Sequence, residues 1–209
     1  MGPETATSAA RGVAPPTGRR NRDADVVAAA INVFWRKGYA DASVQDLADE
    51  VGVLKGSLYH YIESKEALLM RVFDLAHEQA QETIDYAAAL DVPPLERVRR
   101  YFERHVRWYL DNIEHASVFF REWRSLTGPN LQTVKRRRRS YARFIGGMIE
   151  ECRLAGATAP GVDSRIVLVY VLSAVNAAPD WYRREGPDDA GTIAAAYADF
   201  VVGTLVGAA

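Results

Sequence analysis

The stretch from Leu54 to Ile62 contains no acidic residue and carries Lys55, Ser57, Tyr59 and His60, four side chains that can donate hydrogen bonds. Gly56 lies among them and removes a side chain, so backbone there can come close to a phosphate. Lys65 stands at the start of the next helical stretch, where helix dipole and ammonium both attract phosphate. Upstream, Arg19, Arg20 and Arg22 make a short basic arm of the kind that lies along phosphates or in a minor groove. These residue types suit phosphate and base-edge binding. They also suit a short exposed helix with ordinary polar residues, with Tyr59 and Tyr61 as packing aromatics. Chemistry alone leaves both readings open.

A second charged cluster, Lys135-Arg136-Arg137-Arg138-Arg139, puts five cations on every face of one helix. It reads either as a solvated face offset by neighbouring acids or as an anion site at the mouth of a cavity, since guanidinium forks suit phosphate. Catalytic chemistry finds little support. His60, His77, His105 and His115 form no i,i+4 ligand pair, and Asp74-x-x-His77 occurs once, without the second copy a di-metal bundle needs. No nucleophile elbow, phosphate loop or HExxH is present. Cys152, the single cysteine, falls on an apolar stripe and reads as a core thiol. No enzyme activity, metal or cofactor is expected.

The 209 residues are 48% hydrophobic and 25% charged, enough for a packed core without staples. The net charge of −1 means that any DNA-facing surface must be local. One cysteine fits a reducing cytoplasm, and no apolar run is long enough for a membrane span. No apolar signal-peptide core is seen near residue 1, and residues 1–18, rich in small residues and proline, read as a disordered tail.

The elements that would hold these residues are helical throughout, about nine in number, so the expected class is all-α. Val26, Val27, Ala30, Ile31 and Phe34 make the stripe of a first helix over about 23–37, ended by Gly38. Ser43, with Asp46 three residues on, caps a short second helix. Gly52 breaks it, and a third follows over about 55–62. Two short helices joined through a glycine describe a helix-turn-helix over 19–66. Ser64 caps a long fourth helix, and Pro94 opens a fifth. Gly128 and Pro129 are expected to close a sixth, and a seventh spans about 131–154. The eighth, about 164–183, is apolar on several faces, and Pro179 should kink or end it. The ninth covers about 189–206. Residues 67–209 would thus form a helical body.

The segments Phe34-Trp-Arg-Lys-Gly-Tyr39, Ser43-Val-Gln-Asp-Leu-Ala48, Gly52-Val-Leu-Lys-Gly-Ser-Leu-Tyr-His-Tyr61 and Ser64-Lys-Glu-Ala-Leu68 resemble the N-terminal domain of TetR-type regulators. The resemblance is continuous over about 26–69. It implies a three-helix DNA-binding domain on a regulatory body, acting as a homodimer without a membrane anchor. Carried onto this sequence, Ser43 and Val44 meet the DNA backbone, while Lys55, Ser57, Tyr59 and His60 meet phosphates and base edges. Lys65 meets a phosphate. Two departures stand out: Leu54 replaces the usual Ser or Thr cap, and Ala42 replaces a frequent Thr. Each removes a hydroxyl worth about 1 kcal/mol.

The last two helices are the expected dimer interface, which would set two reading helices about one DNA turn, ~34 Å, apart on a near-palindromic operator. Between the other helices, large side chains would line an effector cavity. The candidates are Phe102, Tyr109, Phe119, Trp123, Arg137, Phe144, Met148, Asn176 and Trp181, around a largely apolar ligand. Trp181-Tyr-Arg-Arg-Glu-Gly-Pro187 is similar to the TetR branch that controls fatty-acid or sterol breakdown in response to acyl-coenzyme A. That resemblance implies a thioester held by arginines and aromatics. A drug, aromatic acid or steroid, or an activator in place of a repressor, remains the alternative.

Overall fold

The computed structural model describes residues 17–207, with side chains from residue 22 onward. The expectation of a disordered tail falls mostly on residues 1–16, outside the described ones.

Caps and breakers set most helix ends. α1 (Thr17–Lys37) runs into Gly38, which takes φ 76°. α2 (Val44–Val51) starts at a full capping box: the Ser43 hydroxyl accepts from the Asp46 amide at 3.1 Å, and the Asp46 carboxylate accepts from the Ser43 amide at 2.9 Å. Gly52 ends α2 at φ 74°, a left-handed position that favours glycine. α3 (Lys55–Leu58) follows, then α4 (Lys65–Ala88), whose first turn is capped by Ser64 through the Ala67 amide. α5 (Pro94–Asp111) and α6 (Ile113–Arg121) come next, and a 3-10 turn at Glu122–Ser125 leads to α7 (Gly128–Leu154). α8 (Ser164–Asn176) and α10 (Ala190–Val206) are capped by Asp163 and Asp189, and the single turn α9 (Ala178–Trp181) lies between them. Among the described residues there is no strand, as an all-α fold requires.

Three expectations about element ends are corrected. α1 begins at Thr17, so Arg19, Arg20 and Arg22 belong to its first turns and not to an arm ahead of it; nothing between Arg19 and Val26 breaks a helix. Gly128 and Pro129 open α7 instead of closing α6, because proline's fixed φ suits a first helical turn. The eighth helix ends at Asn176, and Pro179 sits inside the separate turn α9.

Three apolar clusters hold the molecule together. The first joins the N-terminal helices α1–α3 (Phe34, Leu47, Leu58, Ile62) to α4, α6 and α7 through Leu69, Phe73, Phe119 and Val134. The second packs α5, α7, α8 and α10 around Phe102, Ile145, Ile149 and Val201. The third packs α5, α6, α9 and α10 around Tyr109, Leu110 and Ala194. Ala190, Ala194 and Ala198 are buried along α10, and their small side chains let it lie close against α5.

Candidate nucleic-acid interface and effector cavity

α3 is one helical turn, shorter than the expected 55–62, and the chain continues as a turn in which the His60 and Tyr61 amides donate three residues back, to Ser57 and Leu58 carbonyls. Leu58 and Ile62 are buried and fasten this rod to the domain. Lys55, Gly56, Tyr59 and His60 are exposed on its other side, with Ser57 half-buried. Tyr59 is 52% exposed and Leu54 81% exposed, and Leu54 offers no side-chain cap to the α3 amides. A β-carbon built on Gly56 meets nothing within 4 Å, so the fold does not require a glycine there. Arg22 is exposed, while the side chains of Arg19 and Arg20 lie outside the described residues. Val44 is half-buried, and the Ser43 hydroxyl is engaged with Asp46. Ala42 is buried, so its departure from threonine falls on an inward-facing position.

Lys65 corrects the sequence reading. Its ammonium turns back to the carbonyls of Tyr39 and Ala42, at 2.7 Å each, and stands 4.3 Å above the Tyr39 ring. A helix N-terminus next to a loop of free carbonyls gives a lysine a nearer partner than DNA. Arg71, one and a half turns on, donates to the Tyr61 and Asp23 carbonyls, both at 3.0 Å. α4 therefore grips the reading domain through two cations on backbone oxygens. Sequence reasoning missed Arg71; it lies about a third of a turn around α4 from Lys65, so no shared face pointed to it. Glu66 ties the same end of α4 to Asn130 and Thr127 at the start of α7; those hydrogen bonds lower its pKa.

A cavity of about 170 Å³ lies where the three apolar clusters meet, walled by α4, α5, α6, α7 and α8. Of the expected ligand residues, Phe119 and Asn176 line it. Phe102 and Tyr109 are core residues behind its wall: Phe102 sits edge-on to Tyr101 at 5.3 Å, and Tyr109 stacks on Phe120 at 5.4 Å. Trp123 is half-buried beneath the Arg138 guanidinium, at 5.0 Å. Arg137 pairs with Asp74 at 2.7 Å and does not reach the cavity. Phe144 and Met148 border a neighbouring groove with Arg97 and Arg143. Trp181 is 51% exposed on α9.

Apart from Asn176, the cavity's polar wall was not foreseen. It consists of His105, Arg138, Tyr141, Asn176, Gln79 and Thr83, with Tyr101, Trp108 and Phe120 as further aromatics. His105 stacks on Tyr101 at 5.6 Å, and burial pushes its pKa down to about 4, so it is neutral near pH 7. Burial also lowers the Arg138 pKa, and the neighbouring Arg124 charge adds to that effect. The atoms His105 Nε2, Arg138 Nη1 and Asn176 Oδ1 are buried without a hydrogen-bond partner. A signal existed in the sequence. Arg138 continues the stripe Val134, Tyr141, Ile145, Met148 and Cys152 at alternating spacings of four and three, so it had to face inward.

The five-cation run thus divides by helix angle. Arg137 is paired and Arg138 faces the cavity. Arg136 and Arg139 join Arg143 and Ala142 in an open groove, with no acid within ion-pair distance of those three among the described residues. Ala142 borders both that groove and the cavity. Ile166, Val169 and Tyr170 on α8 and Phe200 and Val206 on α10 are exposed, and Tyr170 and Phe200 adjoin at 6.1 Å. Among the described residues no helix is long and apolar enough to cross a membrane.

Residues 26–72 match the family model described as bacterial regulatory proteins, tetR family, and residues 91–205 match the tetracyclin repressor-like C-terminal domain. The transcriptional repressor KstR2 of Mycolicibacterium smegmatis is 25% identical over 199 residues, 91% of this chain and 92% of that protein. The crystal structure of the regulator PfmR of Thermus thermophilus has a TM-score of 0.75 at 29% identity, covering 85% of this chain and 96% of its own. AibR, solved with isovaleryl coenzyme A and operator DNA, has a TM-score of 0.77 at 22% identity over 88% of this chain and 97% of its own, a likeness of fold.

Proposed function

The chain belongs to the TetR family of bacterial regulatory proteins and is a regulator, not an enzyme; from that premise we propose that it represses transcription in the cytoplasm as a homodimer on a near-palindromic operator, and that an acyl-coenzyme A thioester releases it. The observation that carries the thioester is the meeting of the cavity with the arginine groove at Ala142. An apolar acyl group fits the first, and the coenzyme's phosphates fit the unpaired guanidiniums of Arg136, Arg139 and Arg143 in the second. The relative KstR2 is named a repressor, which supports the sign of regulation.

The exposed, acid-free face of Lys55, Gly56, Tyr59 and His60 is the DNA-reading surface, with Ser43, Val44, Ser57 and the α1 arginines Arg19, Arg20 and Arg22 as neighbouring backbone contacts. The exposed apolar side chains of Ile166, Val169, Tyr170 and Phe200 pair with their copies across a twofold axis. Coupling runs through α4. Ala76 and Phe119 line the cavity and share one cluster with Leu58, and α4 holds the reading domain through Lys65 and Arg71. A ligand that prefers one α4 position by about 1–3 kcal/mol changes DNA affinity about 5–150-fold.

The test is gel retardation of a fragment carrying the protein's own promoter region. Retardation at low salt, reversed by an acyl-coenzyme A but not by free coenzyme A, is expected. Absence of retardation at low salt overturns the DNA claim, and retardation indifferent to thioesters overturns the effector claim. A second reading, a compact aromatic or branched acid as effector, is favoured by the small volume of about 170 Å³.

A further inference from the structure

Resting on the reading that this cavity receives the effector, we infer that the group inside it carries its own oxyanion, a carboxylate on a ring-sized apolar body, and that Arg138 is the residue that selects it. Three atoms point to this. Arg138 Nη1, Asn176 Oδ1 and His105 Nε2 are each buried without a partner, and all three residues line the same cavity. Buried polar atoms are nearly always satisfied, so three unpartnered ones on a single cavity point to a ligand that supplies their partners. No Asp or Glu lines the cavity.

The neighbouring arginine sharpens the contrast. Arg137 has Asp74 at 2.7 Å, so the helix pairs a guanidinium where a partner is wanted. Arg138 instead lies 5.6 Å from the Phe120 ring and 5.0 Å from the Trp123 ring. Those faces hold the guanidinium in place and replace only part of its lost hydration. Its remaining donors form a planar fork suited to two carboxylate oxygens. Asn176 can present either oxygen or amide nitrogen, and neutral His105 one donor or acceptor. Together they complete a polar end without adding a second charge. The apolar part of the wall includes Ala76, Ala80, Ile84, Phe119, Ile145 and Leu172. A volume near 170 Å³ is close to that of apolar cavities of about 150 Å³ that take up benzene.

Two sources offer this chemistry: a free acid, or a thioester whose acyl chain ends in a second carboxylate. Calorimetric titration of the full-length protein separates them. Benzoate and cyclohexanecarboxylate are compared with benzamide and cyclohexanecarboxamide, and glutaryl-coenzyme A with butyryl-coenzyme A. Each acid is expected to bind at least tenfold tighter than its amide. A matching preference for glutaryl-coenzyme A identifies the thioester source, and its absence the free acid. Arg138→Gln should abolish the preference, Arg138→Lys retain part of it, and Arg137→Gln, whose guanidinium pairs with Asp74 away from the cavity, leave it whole. Equal binding of acid and amide to the unaltered protein overturns the inference, whatever the variants do. So does a preference that survives in Arg138→Gln. If none of these probes binds, the inference falls, and release of DNA by other acyl thioesters is still judged by retardation.

Discussion

On the reading domain, Lys55, Tyr59 and His60 stand exposed, whereas in the body Arg138, Asn176 and His105 hold polar atoms that water does not reach. Both surfaces leave hydrogen-bonding groups without protein partners, yet the physical consequences differ. An exposed donor is satisfied by solvent and waits for DNA at no cost to the fold. A buried one is destabilising until a ligand arrives, so it records what the ligand must supply. The outer surface therefore permits partners broadly, and phosphate contacts there position without specifying. The inner one is restrictive.

The largest expected effect tests the inner surface by pH. His105 has a folded pKa of about 4 against an ordinary 6.5. Above pH 6.5 neither folded nor unfolded chain binds the proton, and stability is undiminished. As pH falls from 6.5 to 4 the unfolded chain takes up a proton that the folded one refuses, so stability drops, by roughly 3 kcal/mol for this one group. Urea unfolding across that range, compared with His105→Gln, checks it. A variant that loses stability as steeply as the parent would mean the ring is solvated, and the contrast between the two surfaces would fail. Burial lowers the pKa of His115 and of His77 too, so part of the slope should remain.

A smaller effect separates two lysines that look alike in sequence. Lys65→Ala removes two 2.7 Å hydrogen bonds to carbonyls and should destabilise by about 2 kcal/mol. Lys55→Ala should move stability by less than about 0.5 kcal/mol. On DNA the order reverses: Lys55→Ala should lower the slope of log affinity against log salt by about 1, and Lys65→Ala should leave that slope in place. Equal unfolding midpoints for the two variants would restore Lys65 to the phosphate-binding set.

This reversal shows how far the sequence could be read. The all-helical class, the capping box at Ser43 and Asp46, the stop at Gly52 and the inward Leu47 and Leu58 follow from local rules that act within a few residues. The reading surface is equally local, because exposure follows from helix phase. Lys65 escaped because its partners, the Tyr39 and Ala42 carbonyls, are more than twenty residues away. The cavity escaped further, since five helices wall it and only Phe119 and Asn176 were anticipated. Aromatic stripes mark Phe102 and Tyr109 as interior without saying whether they face protein or empty space. Arg138 was legible by its register on α7, but a run of five cations drew attention to charge number instead of helix angle.

A small effect on stability, of the opposite sign, falls at Gly56 and bears on the outer surface alone. A β-carbon there meets no atom of the chain within 4 Å, and its backbone is helical without positive φ. Gly56→Ala should therefore raise stability slightly, by up to about 1 kcal/mol, because alanine loses less backbone freedom in a helical turn. If glycine is present so that a phosphate can approach the main chain, the same methyl group should weaken operator retardation severalfold despite the firmer fold. Gain in one assay and loss in the other is a pattern that a role in folding cannot produce, since a residue needed by the fold loses both together. An alanine variant that binds its operator as tightly as the parent would show that the α3 backbone keeps its distance from DNA, leaving recognition to Lys55, Tyr59 and His60.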